Sequence, residues 1–79
     1  MFHKLDKVVP LEYYLLLVQF CDGTSKTHDV KPLFEWKDVF KTLKDNELFQ
    51  KARIGEGKLG VVWNDDLDIS SEELWENGK

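Results

Sequence analysis

A chain of 79 residues, 42% hydrophobic and 13% aromatic, carries the material for one small core and argues for a folded protein rather than a disordered one. Its single cysteine excludes an internal disulfide framework and leads to the expectation of a reducing, cytoplasmic location. A net charge of −4 sets the chain against binding nucleic acid by itself.

A domain of this size buries only about 60–65% of the surface that its unfolded chain exposes, so help from a protein partner or from self-association is expected. Residues 1–79 are read as one domain.

In chain order, Phe2 to Val9 alternates weakly and is closed by Pro10, which predicts a first strand. Lys4 and Lys7 precede an apolar stretch, which raises the question of an export signal. The run from Tyr13 to Val18 is six residues, against the ~20 needed to cross a bilayer. Phe20, next to Cys21, also stands where a lipoprotein signal wants a small residue, so neither export nor membrane insertion is expected. Tyr14 to Phe20 reads instead as a strand. Tyr14, Leu16, Val18 and Phe20 share one face, while Leu15 and Leu17 make the other apolar, predicting a central strand covered on both sides. Asp22-Gly23 signals a hairpin, and Thr24 to Val30 returns as a polar edge strand ended by Lys31-Pro32.

The period then changes. Leu33, Trp36, Val39, Phe40 and Leu43 recur at helical spacing, predicting an amphipathic helix that ends near Lys44 with this stripe in the core. Asp45 is placed to cap a second short helix with Leu48, Phe49 and Ala52 facing inward. Ile54 to Val62 reads as a hairpin turning at Gly55-Glu56-Gly57, with Leu59 to Trp63 as the last strand. The predicted architecture is α+β: a small, mostly antiparallel sheet of about five strands, in the order strand-strand-strand, helices, strand-strand, helix.

Chemistry-bearing residues are sparse. His3 and His28 are 25 residues apart with no further ligand at zinc-site spacing, and Cys21 has no basic neighbour in sequence to activate it. Gly55, Gly57 and Gly60 lead into a strand rather than into the helix that a phosphate loop requires. The eight bases between residues 26 and 58 are interleaved with six acids, a mixed surface rather than a nucleic-acid stripe.

The charge imbalance lies at the far end. From Asn64 to Lys79 there are six acids and one lysine, whereas the first 63 residues are nearly balanced. A calcium loop starting at Asn64 would put Ile69 at the glycine position and Trp75 at the bidentate position. A loop starting at Asp66 would put Ser71 and Asn77 there, so both frames fail. Helix initiation explains most of the segment. Ser70 and Glu73 make a capping box, Ile69 and Leu74 a hydrophobic staple, and Asp68, Glu72 and Glu73 suit the positive end of the helix dipole. Asn77-Gly78 supplies the stop. Asp65 and Asp66 are left without a structural reason.

Phe20-Cys21-Asp22-Gly23, Asp29-Val30-Lys31-Pro32-Leu33, Phe40, Leu43-Lys44-Asp45, Leu48-Phe49 and the block from Trp63 to Trp75 follow one another in a specific order and spacing. In this the chain resembles the short prokaryotic proteins of domain-of-unknown-function family 2442 over nearly its whole length. It departs from many members in having Asn64 and Asp66 where they carry a proline after the tryptophan and a glycine in the next turn. The resemblance implies an α+β fold and a bacterial cytoplasmic protein, often encoded beside another small gene and sometimes fused to a helix-turn-helix. It carries over no catalytic residue.

Two functions are therefore expected in competition. The first is a non-enzymatic interaction or regulatory module, antitoxin-like, paired with a neighbouring small gene product, needing no cofactor, and using Trp63, Asp65, Asp66, Asp68 and Trp75 as its candidate partner surface. The second is a small-ligand or divalent-metal activity centred on Asp65, Asp66 and Asp68.

Overall fold

The structure is a computed structural model and describes residues 3–79. Phe2, the expected start of the first strand, lies outside the described residues. Strand β1 (Leu5–Pro10) pairs antiparallel with β2 (Leu15–Phe20), and β2 with β3 (Ser25–Asp29), in the order β1-β2-β3. The Asp22-Gly23 turn joins β2 to β3, with Gly23 at φ 94° and the Asp22 carboxylate accepting from the Thr24 N–H at 2.9 Å. Pro10 is tolerated because β1 is an edge strand, where a missing N–H costs no ladder bond.

Leu16, Val18 and Phe20 face the core as expected. The other face is not covered: Leu17 is 36% exposed. None of the described elements covers that face, and β2 is central in its sheet but buried on one side alone.

The connection from β1 to β2 places both Tyr13 (φ 61°) and Tyr14 (φ 60°) in the left-handed region. For residues with a Cβ this costs about 1–2 kcal/mol each. Tyr14 offsets it by wedging its ring edge-on between Phe34 and Phe49, at 5.3 Å from each, and donating its hydroxyl to the Lys44 carbonyl.

The expected long middle helix is broken. Helix α1 (Leu33–Trp36) ends where Lys37 turns extended (φ −139°, ψ 138°), and residues 38–44 form a tighter 3₁₀ helix. In such a helix residues three apart eclipse. Phe40 and Leu43 therefore align toward the core, while Lys41 and Asp38 align outside as an ion pair at 3.2 Å. The break rotates Trp36 and Val39 out of the core stripe to which their spacing had assigned them. Helix α2 (Asn46–Phe49) is capped by Asp45, whose carboxylate accepts from the Glu47 N–H at 3.0 Å, and Phe49 is fully buried.

A second antiparallel sheet follows, in the order β4 (Arg53–Ile54), β5 (Gly60–Asn64), β6 (Leu67–Ser70). The described residues thus hold six strands in two three-stranded sheets rather than about five in one. The addition is β6. It alternates in burial, with Leu67 and Ile69 inward and Asp68 and Ser70 outward, but over four residues that also carry helix-starting features. Asp65 and Asp66 find their reason here as the turn of the β5–β6 hairpin. The Asn64 side chain stands in for a backbone acceptor, taking the Asp66 N–H at 2.9 Å.

Helix α3 (Ser71–Asn77) starts at the expected residue with half of the expected capping box, the Glu73 carboxylate meeting the Asn77 side-chain amide rather than the Ser70 N–H. Ser70 accepts from the Glu73 N–H at 3.2 Å, and Ile69 and Leu74 are both buried. Gly78 does not use the left-handed conformation expected of a helix stop, since its φ is −76°. Closeness makes it a glycine: a Cβ there would lie 2.5 Å from the Leu74 carbonyl oxygen and 3.0 Å from the Lys26 Cβ.

One core lies between the two sheets and the helices, joining Leu16, Phe20, Phe49, Val61, Trp63 and Leu74 among others. Trp63, the bulged residue of β5, is 4% exposed and donates its indole N–H to the Phe49 carbonyl at 3.0 Å. Trp63→Phe removes this donor and leaves a void, so urea denaturation is expected to show a loss of about 1–3 kcal/mol at unchanged m-value. An unshifted midpoint would mean that the bond contributes nothing. Gly60→Ala pushes a Cβ to 2.8 Å from the Ile69 carbonyl oxygen. It is expected to cost about 1–3 kcal/mol in the same assay.

Candidate functional site

The α1 break that expels Trp36 also builds a groove. Trp36 is 62% exposed and Val39 37%. Trp36 is held nearly parallel to Phe40 with ring centroids 6.1 Å apart, and the Lys37 ammonium lies 4.4 Å from the indole centroid. Facing this apolar side are Asp66, Asp68 and Ser70 of the β5–β6 hairpin, with Glu73 of α3, around a space of about 300 Å³. The result is an exposed aromatic against an acidic wall.

Leu33 and Glu73 also line a second, larger cleft of about 620 Å³. Leu15, Pro32 and Leu33 give it an apolar side, and Asp29, Glu73 and Asn77 a polar one. His28 sits in its wall. It pairs with Leu16 in the sheet, lies on the buried face and is 5% exposed, and neither ring nitrogen meets a protein hydrogen-bond partner. Burial pushes the His28 imidazole below its ordinary value, against the opposing pull of the Glu73 and Asp29 carboxylates. Burial alone would raise Asp29, but hydrogen bonds from Lys31 outweigh it and hold the carboxyl below the usual range. The Lys31 ammonium lies 3.0 Å from Asp29 Oδ1 and also donates to the Tyr13 carbonyl.

The five residues singled out from the sequence are not brought together. Trp63 belongs to the core. Trp75 is half-buried and already engaged: it stacks on His3 at 3.9 Å, meets Phe20 edge-on at 4.9 Å, and carries the Lys26 ammonium 4.5 Å from its ring centroid. Glu72 supports this cluster, accepting from the His3 ring at 2.9 Å and from its backbone N–H at 3.0 Å, bonds that hold its carboxyl below the ordinary value. Asp65 is exposed at the hairpin turn, and Asp66 and Asp68 line the groove. Among the described residues no three His, Cys, Asp or Glu side chains converge as a metal cage requires. Asp65, Asp66 and Asp68 are spread along the hairpin instead.

Sequence reasoning overlooked Trp36, Val39, Glu73 and His28. The spacing of the first two continues a helical stripe and so points to the core, and Glu73 reads as a cap alone. For His28 the available signal is its two-residue spacing from the apolar Val30, just past β3, which places the two on one face.

His28 generates a pH prediction. The unfolded state takes up its proton near 6.5 while the folded state resists it. Stability is therefore full above about pH 6.5 and falls as the pH drops toward the depressed folded value. The shifted carboxylates Asp22, Asp29 and Glu72 act only lower, below their ordinary values of 3.8 to 4.5. Thermal unfolding in steps from about pH 7.5 to 5 should show this decline in the wild type and a flatter profile in His28→Leu. Equal slopes in the two proteins would refute it.

Among the described residues no helix is long and apolar enough to cross a membrane. Neither a curated protein nor a solved structure matches the chain. The family described as "Protein of unknown function (DUF2442)" has a model that matches residues 5–79, nearly the whole chain, and the chain belongs to that family.

Proposed function

We propose that the chain is a non-enzymatic protein-interaction or regulatory module of the bacterial cytoplasm. Its partner would be a neighbouring small gene product, in an antitoxin-like pairing, that docks on the Trp36 groove. The observation that carries this reading is the 62% exposure of Trp36 in a chain whose other two tryptophans are engaged in the fold. A large aromatic left in water contributes little to folding, whereas tryptophan at an interface commonly supplies a dominant share of binding energy. The wall of Asp66, Asp68 and Glu73 adds charge, so the fitting partner presents an apolar anchor flanked by basic residues. The lone cysteine supports the cytoplasmic part of the reading.

Co-expression with the adjacent small gene product, followed by size-exclusion chromatography with light scattering, is expected to yield a complex. Trp36→Ala should weaken it by at least about tenfold, a modest loss for an aromatic anchor. Asp66→Asn with Asp68→Asn should slow association and reduce its dependence on salt. Both changes are at the surface and should leave thermal stability nearly unchanged. A wild type that forms no complex, or that instead forms a homodimer through Trp36, would overturn the proposal.

A further inference from the structure

We infer that the His28 cleft is a socket for an arginine side chain of the protein partner that docks on the Trp36 groove; the inference rests on that docking reading. The two depressions share Leu33 and Glu73 as a common wall, so a segment lying across the groove has only these two side chains to pass to reach the cleft. At about 620 Å³ the cleft falls within the range of pockets that enclose a ligand. Its apolar side of Leu15, Pro32 and Leu33 suits the methylene stem of a long side chain.

The polar side selects the sign of the head group. Of the two carboxylates on this side, Asp29 is already paired with Lys31, whereas Glu73 has no ion-pair partner among the described residues; Lys79 is the lysine of the lining. Both contacts from Lys31 to Asp29 use Oδ1, and a carboxylate offers about four acceptor directions. Among the described side chains Glu73 accepts from Asn77 alone and has acceptor capacity left. His28, on the third side, is held neutral by burial and adds no repelling charge. Guanidinium fits better than ammonium because it is more weakly hydrated and pairs with a carboxylate through two parallel N–H groups.

His28 also explains how occupancy would be sensed. Glu73 of α3 and Asp29 of β3 are the carboxylates whose charge acts on its ring, and Lys79 is the cation on the rim. A guanidinium neutralising those carboxylates removes what favours the imidazolium, so binding and His28 protonation oppose each other.

The test uses n-butylguanidinium as probe, followed by ¹H–¹⁵N NMR on the full chain. Shifts are expected at Thr27, His28, Asp29, Glu73 and Asn77, with the Trp36 indole unmoved. The neutral isostere n-butylurea should bind at least about tenfold more weakly, the loss expected for a charge-assisted bond. Glu73→Gln, which keeps the backbone N–H that Ser70 caps, should weaken the probe by at least about fivefold, and Asp66→Asn should not. Affinity should fall as the pH is lowered through the His28 titration. Absence of shifts in the cleft, equal binding of n-butylurea, indifference to Glu73→Gln, or preference for butyrate would each overturn the socket. If the probe fails while Trp36→Ala still weakens the partner complex, the socket fails alone. If the probe binds but the complex ignores Trp36→Ala, the docking reading fails, and with it the partner's arginine as occupant.

Discussion

The bond from the Trp63 indole to the Phe49 carbonyl ties the second sheet to the helical segment, and much of the remaining structure depends on it. The Phe49 carbonyl, at the end of α2, accepts the Ala52 N–H at 3.3 Å and keeps a second lone pair, while a buried indole N–H cannot be left unpaired. The indole takes that free lone pair at 3.0 Å. For the indole to reach inward, β5 carries its bulge at Trp63, between Val62 and Asn64. The strand then turns at once through Asp65-Asp66 into β6, whose Leu67 and Ile69 close the same core. The acidic hairpin is thus set where it is by the burial of a tryptophan beside it.

Once that core is closed, the chain has no second one to build. Leu17, Trp36 and Val39 stay in water, with no described element covering them. This scarcity gives the surface its character: an exposed indole and valine against Asp66, Asp68 and Glu73, joined through Leu33 and Glu73 to a cleft walled by an unpartnered histidine. A small domain meets such a surface either with a partner or with lost stability.

Acidic residues serve several separate purposes here, though they are contiguous in the sequence. Asp65 and Asp66 make a turn, Glu72 holds His3 and with it the stacking of Trp75, and Glu73 begins a helix while facing two depressions. Their crowding does not make one site. It follows from a hairpin running directly into a helix, two local structures that both favour acids and other small polar residues.

Local chemistry was legible in the sequence. Gly23 in its hairpin, Asp45 and Ser70 as caps, Ile69 with Leu74, and the alternation of Leu16, Val18 and Phe20 all act over a few residues, and each appears as its pattern requires. The α+β class follows from their order. Tertiary structure decided what spacing leaves degenerate. A stripe at helical period is satisfied equally by one long helix or by a short helix broken at Lys37, and only competition for a limited core turned Trp36 and Val39 outward. Four residues of alternation, Leu67 to Ser70, became a strand because β5 was there to pair with them. His28 was unremarkable in sequence and gained its significance from α3, which closes over β3 and removes it from water. Propensities and caps are properties of neighbours along the chain, whereas exposure is a property of the whole, and the candidate site is made of exposure.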